Sequence, residues 1–397
     1  MTADCNLSGP GGFIAGMAVT RGEPAEQADL AQRPATVDAA VHNDVPSTKA
    51  LFPYLPPYWV EHVQNTMFKG PTEFYYPPTS PIAARPGSRP PGSAGDGATG
   101  ARPGANLPTV VPAGSDLDLL RTQVLDEPGV DVAVMCSPYP IDSLHNPDAA
   151  IAFARAVNDW QIAEWLDKEP RLRASIVVPI QLPDEAAKEI ERVAEHPGFV
   201  QVALPVRTER PLGSRLYHRV WEAIERHDLV AGIQFGGVPG NPPTPSGWPS
   251  YFYEEYVGAA LTFASQLVSI VSEGVFDQFP NVRVALIESG FTWLPPHMWR
   301  FDKEWRNLRR LVPWVKRAPS EYIREHVRLT VQPLDAPGDV RQLLEVVEHL
   351  GSDDMLMYAS HYPRVHAADP ETTLLRHLPA HAARKIRYDN ARALYRL

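Results

Sequence analysis

The sequence predicts a (β/α)8 barrel, eight parallel strands closed into a ring with helices outside. Three observations carry that prediction. Short β-branched runs alternate with longer amphipathic stretches from Asp116 onward, as successive βα units require. The runs number eight once the one ahead of Asp116 is included. A polar residue also stands at nearly every run's end, where barrels keep their chemistry.

The first predicted strand is ATVDAAVH (35–42). It is followed by VDVAVMC (130–136), ASIVVPI (174–180), FVQVALP (199–205), LVAGIQF (229–235), VRVALIE (282–288), VRLTVQP (327–333) and MLMYAS (355–360). Between them AAIAFARAVNDWQIAEWLD (149–167), DEAAKEIERVAEH (184–196) and RLYHRVWEAIERH (215–227) carry apolar residues every three and four positions, the period of an amphipathic helix. Eight strands with intervening helices favour a closed barrel over an open sheet.

The domain prediction is a disordered arm over residues 1–34, which lack periodicity, and one barrel domain over 35–397. Residues 82–105 are three-quarters Gly, Pro, Ala and Ser. So few apolar side chains cannot offset the entropy of ordering, and a disordered surface insertion is expected there.

Composition narrows the function. The chain has 397 residues, 44% of them hydrophobic and 21% charged, with a formal charge of −10. An acidic protein does not neutralise a phosphate backbone, so nucleic acid is excluded as the main partner. Cys5 and Cys136 are too few for a disulfide framework, which fits a reducing cytoplasm. No run of eighteen apolar residues is present and the N-terminus lacks a basic start, so neither a membrane span nor secretion is expected.

The strand ends supply the site candidates: His42 and Asn43, Ser137 and Pro138, Gln181, Arg207, Gln234 with Gly236 and Gly237, Glu288, Gln332 and His361. At these residues the chain resembles the amidohydrolase-related family, the branch of the amidohydrolase superfamily that includes aminocarboxymuconate-semialdehyde decarboxylase. The segments that carry the resemblance are VDAAVHNDVPSTKALFPYLP (37–56), GIQFGG (232–237), FPNVRVALIESGFTWLP (279–295) and LMYASHYPRVHAADPE (356–371).

The resemblance implies a divalent metal, zinc or manganese, held by an acid or histidine and a second histidine two apart on the first strand, by histidines after the middle strands, and by a final aspartate. Here the pattern departs. Ala40 stands two before His42, Gln234 replaces a histidine, Glu288 ends the next strand, and His361 takes the aspartate position with Arg364 three residues on. Asp38 cannot substitute, because four residues of strand span ~13 Å and a metal bond ~2 Å. A remodelled site of His42, Glu288 and His361 has a composition that holds zinc elsewhere.

The expected catalytic residues are His361, Glu288, Arg207 and Arg364, with Gln234 and Asn43 binding substrate. Trp248, Tyr251 and Tyr253 are expected to form an aromatic wall, the alternative being a loop packed on the barrel rim. The expected activity is hydrolysis or decarboxylation of a small carboxylate or aromatic substrate. Two alternatives stand beside it. One is a metal-free lyase, dehydratase or cyclase using His361 or Glu288 as acid or base and Arg207 or Arg364 on a carboxylate; the other is an inactive barrel that binds a ligand or partner. A homodimer is expected from the resemblance.

Overall fold

The computed structural model describes residues 34–71, 84–90, 111–237, 242–244 and 246–397. The arm predicted over 1–34 therefore lies outside the described residues, apart from Pro34. The barrel occupies the compact unit Ala35–Leu397.

Eight parallel strands form one sheet in the order of the sequence: β1 (Val37–Val41), β2 (Val132–Met135), β3 (Leu172–Val177), β4 (Phe199–Pro205), β5 (Val230–Gln234), β6 (Arg283–Ile287), β7 (Val327–Thr330) and β8 (Leu356–Met357). Every predicted strand is present, several shorter than its apolar run. The ring closes without a regular β8–β1 ladder. Instead Ala39 N donates to Tyr358 O at 2.9 Å, His361 N to Ala40 O at 3.1 Å and His42 N to Tyr362 O at 2.7 Å.

These strands are buried on both faces, as parallel strands covered by helices must be; β1 is buried at all five positions. The three predicted helices appear as Pro147–Gln161, which continues as a wider turn to Leu166, Pro183–Val193 and His218–Arg226. The first begins on Asn146, whose side chain accepts from the N–H groups of Asp148 and Ala149, with Pro147 at the first helical position. At the chain's end, Asn390–Tyr395 packs Leu394 and Tyr395 against Val134, Cys136 and Met357. The Tyr395 hydroxyl donates to Gln201 Oε1 at 2.8 Å, and Gln201 Nε2 donates to Ser175 Oγ at 2.7 Å. Buried polar groups joined in this way avoid the cost of lost hydration.

The insertion predicted to be disordered over 82–105 is not so in its described part, 84–90. Ala84 bridges Arg364 in antiparallel fashion, Arg85 N donates to Pro363 O at 2.6 Å, and Ser88 is fully buried. Composition missed this because the anchors are backbone hydrogen bonds, which need no apolar side chain. No helix among the described residues is long and apolar enough to cross a membrane.

Candidate active site

Alternation along β1 puts Asp38, Ala40 and His42 on the same side, with His42 at the mouth. The neighbour Asn43 must then point the other way. It does: Asn43 is fully buried and its Nδ2 donates to Gln161 Oε1 at 3.1 Å, so the expectation that it binds substrate is corrected. Asp38 is likewise buried, its Oδ1 accepting from Ala40 N at 3.2 Å and Ser360 N at 3.0 Å.

Residues far apart in the sequence converge on Glu288, at the end of β6. His42 Nε2 lies 2.6 Å and His361 Nε2 2.5 Å from the same oxygen, Oε1, while Arg364 Nη1 donates to Oε2 at 2.9 Å. His42, Glu288 and His361 are all buried. Both Glu288 and His361 have left-handed backbone, with φ of +63° and +61°. Neither is glycine, and such residues cost about 1–3 kcal/mol when strained, a cost found most often at functional sites.

Burial opposes ionisation of Glu288, but His361, Arg364 and His42 outweigh it and hold the carboxyl well below the usual range. Burial pushes His361 down to about 3, with Glu288 only partly opposing, so its imidazole is neutral at pH 7. The His361 ring stacks on His366, centroids 4.6 Å apart, with His361 Nδ1 against His366 Nε2.

The donor set fits a divalent ion. His42 Nδ1 donates to the Cys136 carbonyl at 2.7 Å, which fixes the tautomer that presents the Nε2 lone pair. That buried Nε2 has no well-directed hydrogen bond despite its nearness to Glu288 Oε1. Two acceptors facing each other call for a proton or a cation between them. The three donor atoms lie within 4.8 Å of one another.

A cleft opens beside this cluster, lined by His42, Glu288, Arg364, Ser137, Arg207 and Gln234 and walled by apolar residues including Val177, Ile180 and Pro205. Arg207 pairs with buried Glu255 at 2.6 Å and lies 5.3 Å from the centre of the Phe235 ring. Glu288 thus pairs with Arg364, whereas Arg207 pairs with Glu255. Gly237 after β5 has φ of +103°, and a Cβ there would meet the Arg207 carbonyl oxygen at 2.1 Å, so only glycine lets the two loops approach. The Cys136 thiol, raised to about 12 chiefly by burial, is no nucleophile at neutral pH.

The aromatic wall is also corrected. Trp248, Tyr251 and Tyr253 are more than half exposed and none lines the cleft. Their segment starts a helix, Phe252–Ser272, with Glu254 Oε2 accepting from the backbone of Ser250 and Tyr251. Gln181 and Gln332 hold loops through backbone carbonyls. Sequence reasoning passed over His366, two residues beyond Arg364, and Tyr256, whose hydroxyl is raised to about 12 by burial and by the charge of Glu288. The second histidine of HYPRVHAADP (361–370) was a visible signal; Tyr256 carried none.

Comparisons with known proteins agree with this architecture. A family model described as amidohydrolase matches residues 83–397. The gamma-resorcylate decarboxylase of Polaromonas sp. (strain JS666) is 27% identical over 310 residues, covering 71% of this chain and 88% of its own. The solved 5-carboxyvanillate decarboxylase from Sphingomonas paucimobilis has a TM-score of 0.61 at 24% identity, covering 71% of this chain and 84% of that one. The dihydroxybenzoic acid decarboxylase from Polaromonas sp. JS666, solved with bound manganese and the inhibitor 2-nitroresorcinol, has a TM-score of 0.60 at 20% identity, covering 92% and 98%.

Proposed function

The chain belongs to the amidohydrolase family, and from that premise we propose that it is a carboxy-lyase that decarboxylates a small aromatic acid at the barrel mouth. One observation carries the reading: a cleft with apolar walls ends on a buried carboxylate that two histidines and an arginine surround. Relatives that carry gamma-resorcylate and 5-carboxyvanillate decarboxylase names support the same direction.

Decarboxylation of an aromatic acid breaks the bond between ring carbon and carboxylate, leaves the electron pair on the ring, and puts a proton there. Arg207 and Arg364, both on the cleft lining, supply cationic contacts for an incoming carboxylate. In the metal-free state Glu288, kept ionised, accepts the His361 Nε2 hydrogen at Oε1 and so holds the imidazole at the end of the cleft, and the proton that the ring carbon takes up comes from water at the cleft mouth. The apolar walls exclude water from the departing CO2. His42 Nε2, Glu288 and His361 would hold a divalent ion, zinc or manganese, which when bound supplies Lewis-acid polarisation of the substrate's oxygens.

A second reading, the same lyase working without a metal, is favoured by one contact. The Arg364 guanidinium already occupies the second oxygen of Glu288 and lies 3.4 Å from His361 Nε2, so a permanent cation is built into the cluster. Hydrolysis is the less suited branch of the expected activity.

The test is release of CO2 from a panel of benzoates and hydroxybenzoates, run beside metal analysis of the purified protein and of His42→Ala and His361→Ala. Turnover with about one metal per chain, lost in either variant, supports the first reading. Turnover undiminished by excess chelator supports the second, and no CO2 from any member of the panel sinks both. We further propose that the enzyme is a cytoplasmic homodimer, which light scattering of the purified chain and fractionation of cells would check.

A further inference from the structure

The two histidines of the cluster differ in what holds their second nitrogen. His42 Nδ1 meets the Cys136 carbonyl at 2.7 Å, an oxygen that only accepts, so the proton stays on Nδ1 and Nε2 always offers a lone pair. His361 Nδ1 instead faces His366 Nε2, a nitrogen that donates in one tautomer and accepts in the other. The two rings stack with centroids 4.6 Å apart and planes 16° from parallel.

The neighbours of this pair assign its hydrogens. Glu288 Oε1 lies 2.5 Å from His361 Nε2, and an ionised carboxylate needs a hydrogen there. A neutral His361 with its proton on Nε2 has a bare Nδ1, so the hydrogen between the rings belongs to His366 Nε2. Burial lowers His366 too, which leaves that ring neutral with a bare Nδ1. A cation on His361 Nε2 reverses each assignment. Nε2 must then be bare, the His361 proton must sit on Nδ1, and His366 must accept at Nε2 and carry its own proton on Nδ1. His366 is only partly buried, and its Nδ1 has no partner among the described residues, so water exchanges a proton there.

We propose that His366 is a positioning residue that sets the tautomer of His361, switching His361 Nε2 between hydrogen donor and ion ligand. The protons balance. One leaves His361 Nε2 for water as the ion arrives, one passes from His366 Nε2 to His361 Nδ1, and one enters His366 Nδ1 from water. Each ring keeps one proton and no ring changes its charge. The device belongs to this chain's own residues, because an aspartate at position 361 would have no tautomer to set. It rests on the ion-binding branch of the proposed function, and adds to it the group that frees His361 to serve as a ligand.

The experiment pairs two measurements on the full chain, with zinc as the probe. Long-range proton–nitrogen NMR of histidine-labelled protein reads the tautomer of His361, assigned by the signals lost in His361→Ala. Competition with a chelating dye reads zinc affinity. The variants are His366→Phe, which keeps a stacking ring without nitrogens, and His366→Gln, whose amide both donates and accepts; circular dichroism melting checks that each is folded. Native His361 is expected to carry its proton on Nε2 without zinc and on Nδ1 with it. His366→Phe should weaken zinc binding by roughly 10–100-fold, as loss of the group behind a ligating histidine does, and His366→Gln should recover most of that loss. A tautomer that zinc does not change overturns the proposal, as does an affinity that His366→Phe leaves unaltered or an equal loss in both variants. A native chain that binds no zinc removes the ion site and the switch together, whereas tight binding with an unchanged tautomer removes the switch alone. The decarboxylase reading is judged separately, by CO2 release.

Discussion

Glu288 and His361 meet at 2.5 Å, and each makes the contact from a left-handed backbone. The left-handed region costs little only for glycine. Two residues that bear this cost to aim their side chains at one another point to a contact held by the whole barrel mouth. The pair is not held by local preference.

Removing the carboxylate should therefore be costly. In Glu288→Ala the Arg364 guanidinium and His361 Nε2 lose their shared acceptor, and breaking a buried ion pair by deleting one partner typically costs about 3–5 kcal/mol. Urea unfolding should show a loss of about 3 kcal/mol or more, with activity abolished. A loss below about 1 kcal/mol would mean that solvent already reaches the cluster.

Arg364 competes with any cation for the same donors. In Arg364→Met one fixed positive charge beside Glu288 and His361 disappears, and repulsion between charges at such distances is several-fold stronger in a protein than in water. Affinity for zinc or manganese should rise at least tenfold in competition with a chelating dye. An unchanged affinity would show that the ion does not share the space of the guanidinium.

Arg207 is expected to act on binding more than on chemistry. Replacing it alone would strand buried Glu255, so the informative variant is Arg207→Met combined with Glu255→Gln. For an aromatic acid the KM should rise about tenfold, the loss of roughly one charge-assisted hydrogen bond, with kcat changed far less. A fall in kcat at constant KM would move Arg207 from holding substrate to the reacting centre.

Asp38 gives a pH dependence. Burial raises its carboxyl from 3.8 to about 6, the hydrogen bonds from Ser360 and Ala40 only partly opposing. A raised carboxyl favours the protonated form in the folded state. The stability that form brings is complete below about pH 4 and is lost as pH rises through about 6. Asp38→Asn does not titrate, so between pH 4 and 8 it should gain on the native protein by about 2–3 kcal/mol, each tenfold change in proton affinity being worth roughly 1.4 kcal/mol. Parallel stability curves for the two proteins over that range would show that Asp38 ionises normally.

Much of the fold is legible in the sequence because periodicity is a repeated signal. Eight apolar runs, most of them ending in a polar residue, favour a closed ring over an open sheet, and the order of the strands follows. The His42, Glu288 and His361 cluster is legible for a related reason: strand ends of a closed barrel converge, whichever strands they terminate. Side-chain direction one residue past a strand end is less accessible. Asn43 stands where a mouth residue is expected, although alternation with His42 already argues for the opposite face. The aromatic side chains of 243–258 mislead because an aromatic-rich loop looks the same whether it turns inward or starts a helix. The left-handed conformation of Glu288 carries no signal, since glutamate does not favour it, and that of His361 carries little, since histidine visits the region somewhat more often than most other residues; the tertiary setting imposes both.

The barrel seam has a consequence for biosynthesis. Its last join runs from the backbone of Ala39, Ala40 and His42 to residues 358–362, so the first and last strands of the barrel meet beside the cluster. A ribosome-bound chain that has not yet released residues 358–362 lacks both His361 and the bonds that seat His42. The site therefore cannot exist before those residues leave the ribosome, and a product terminated ahead of them carries no partially working version of it.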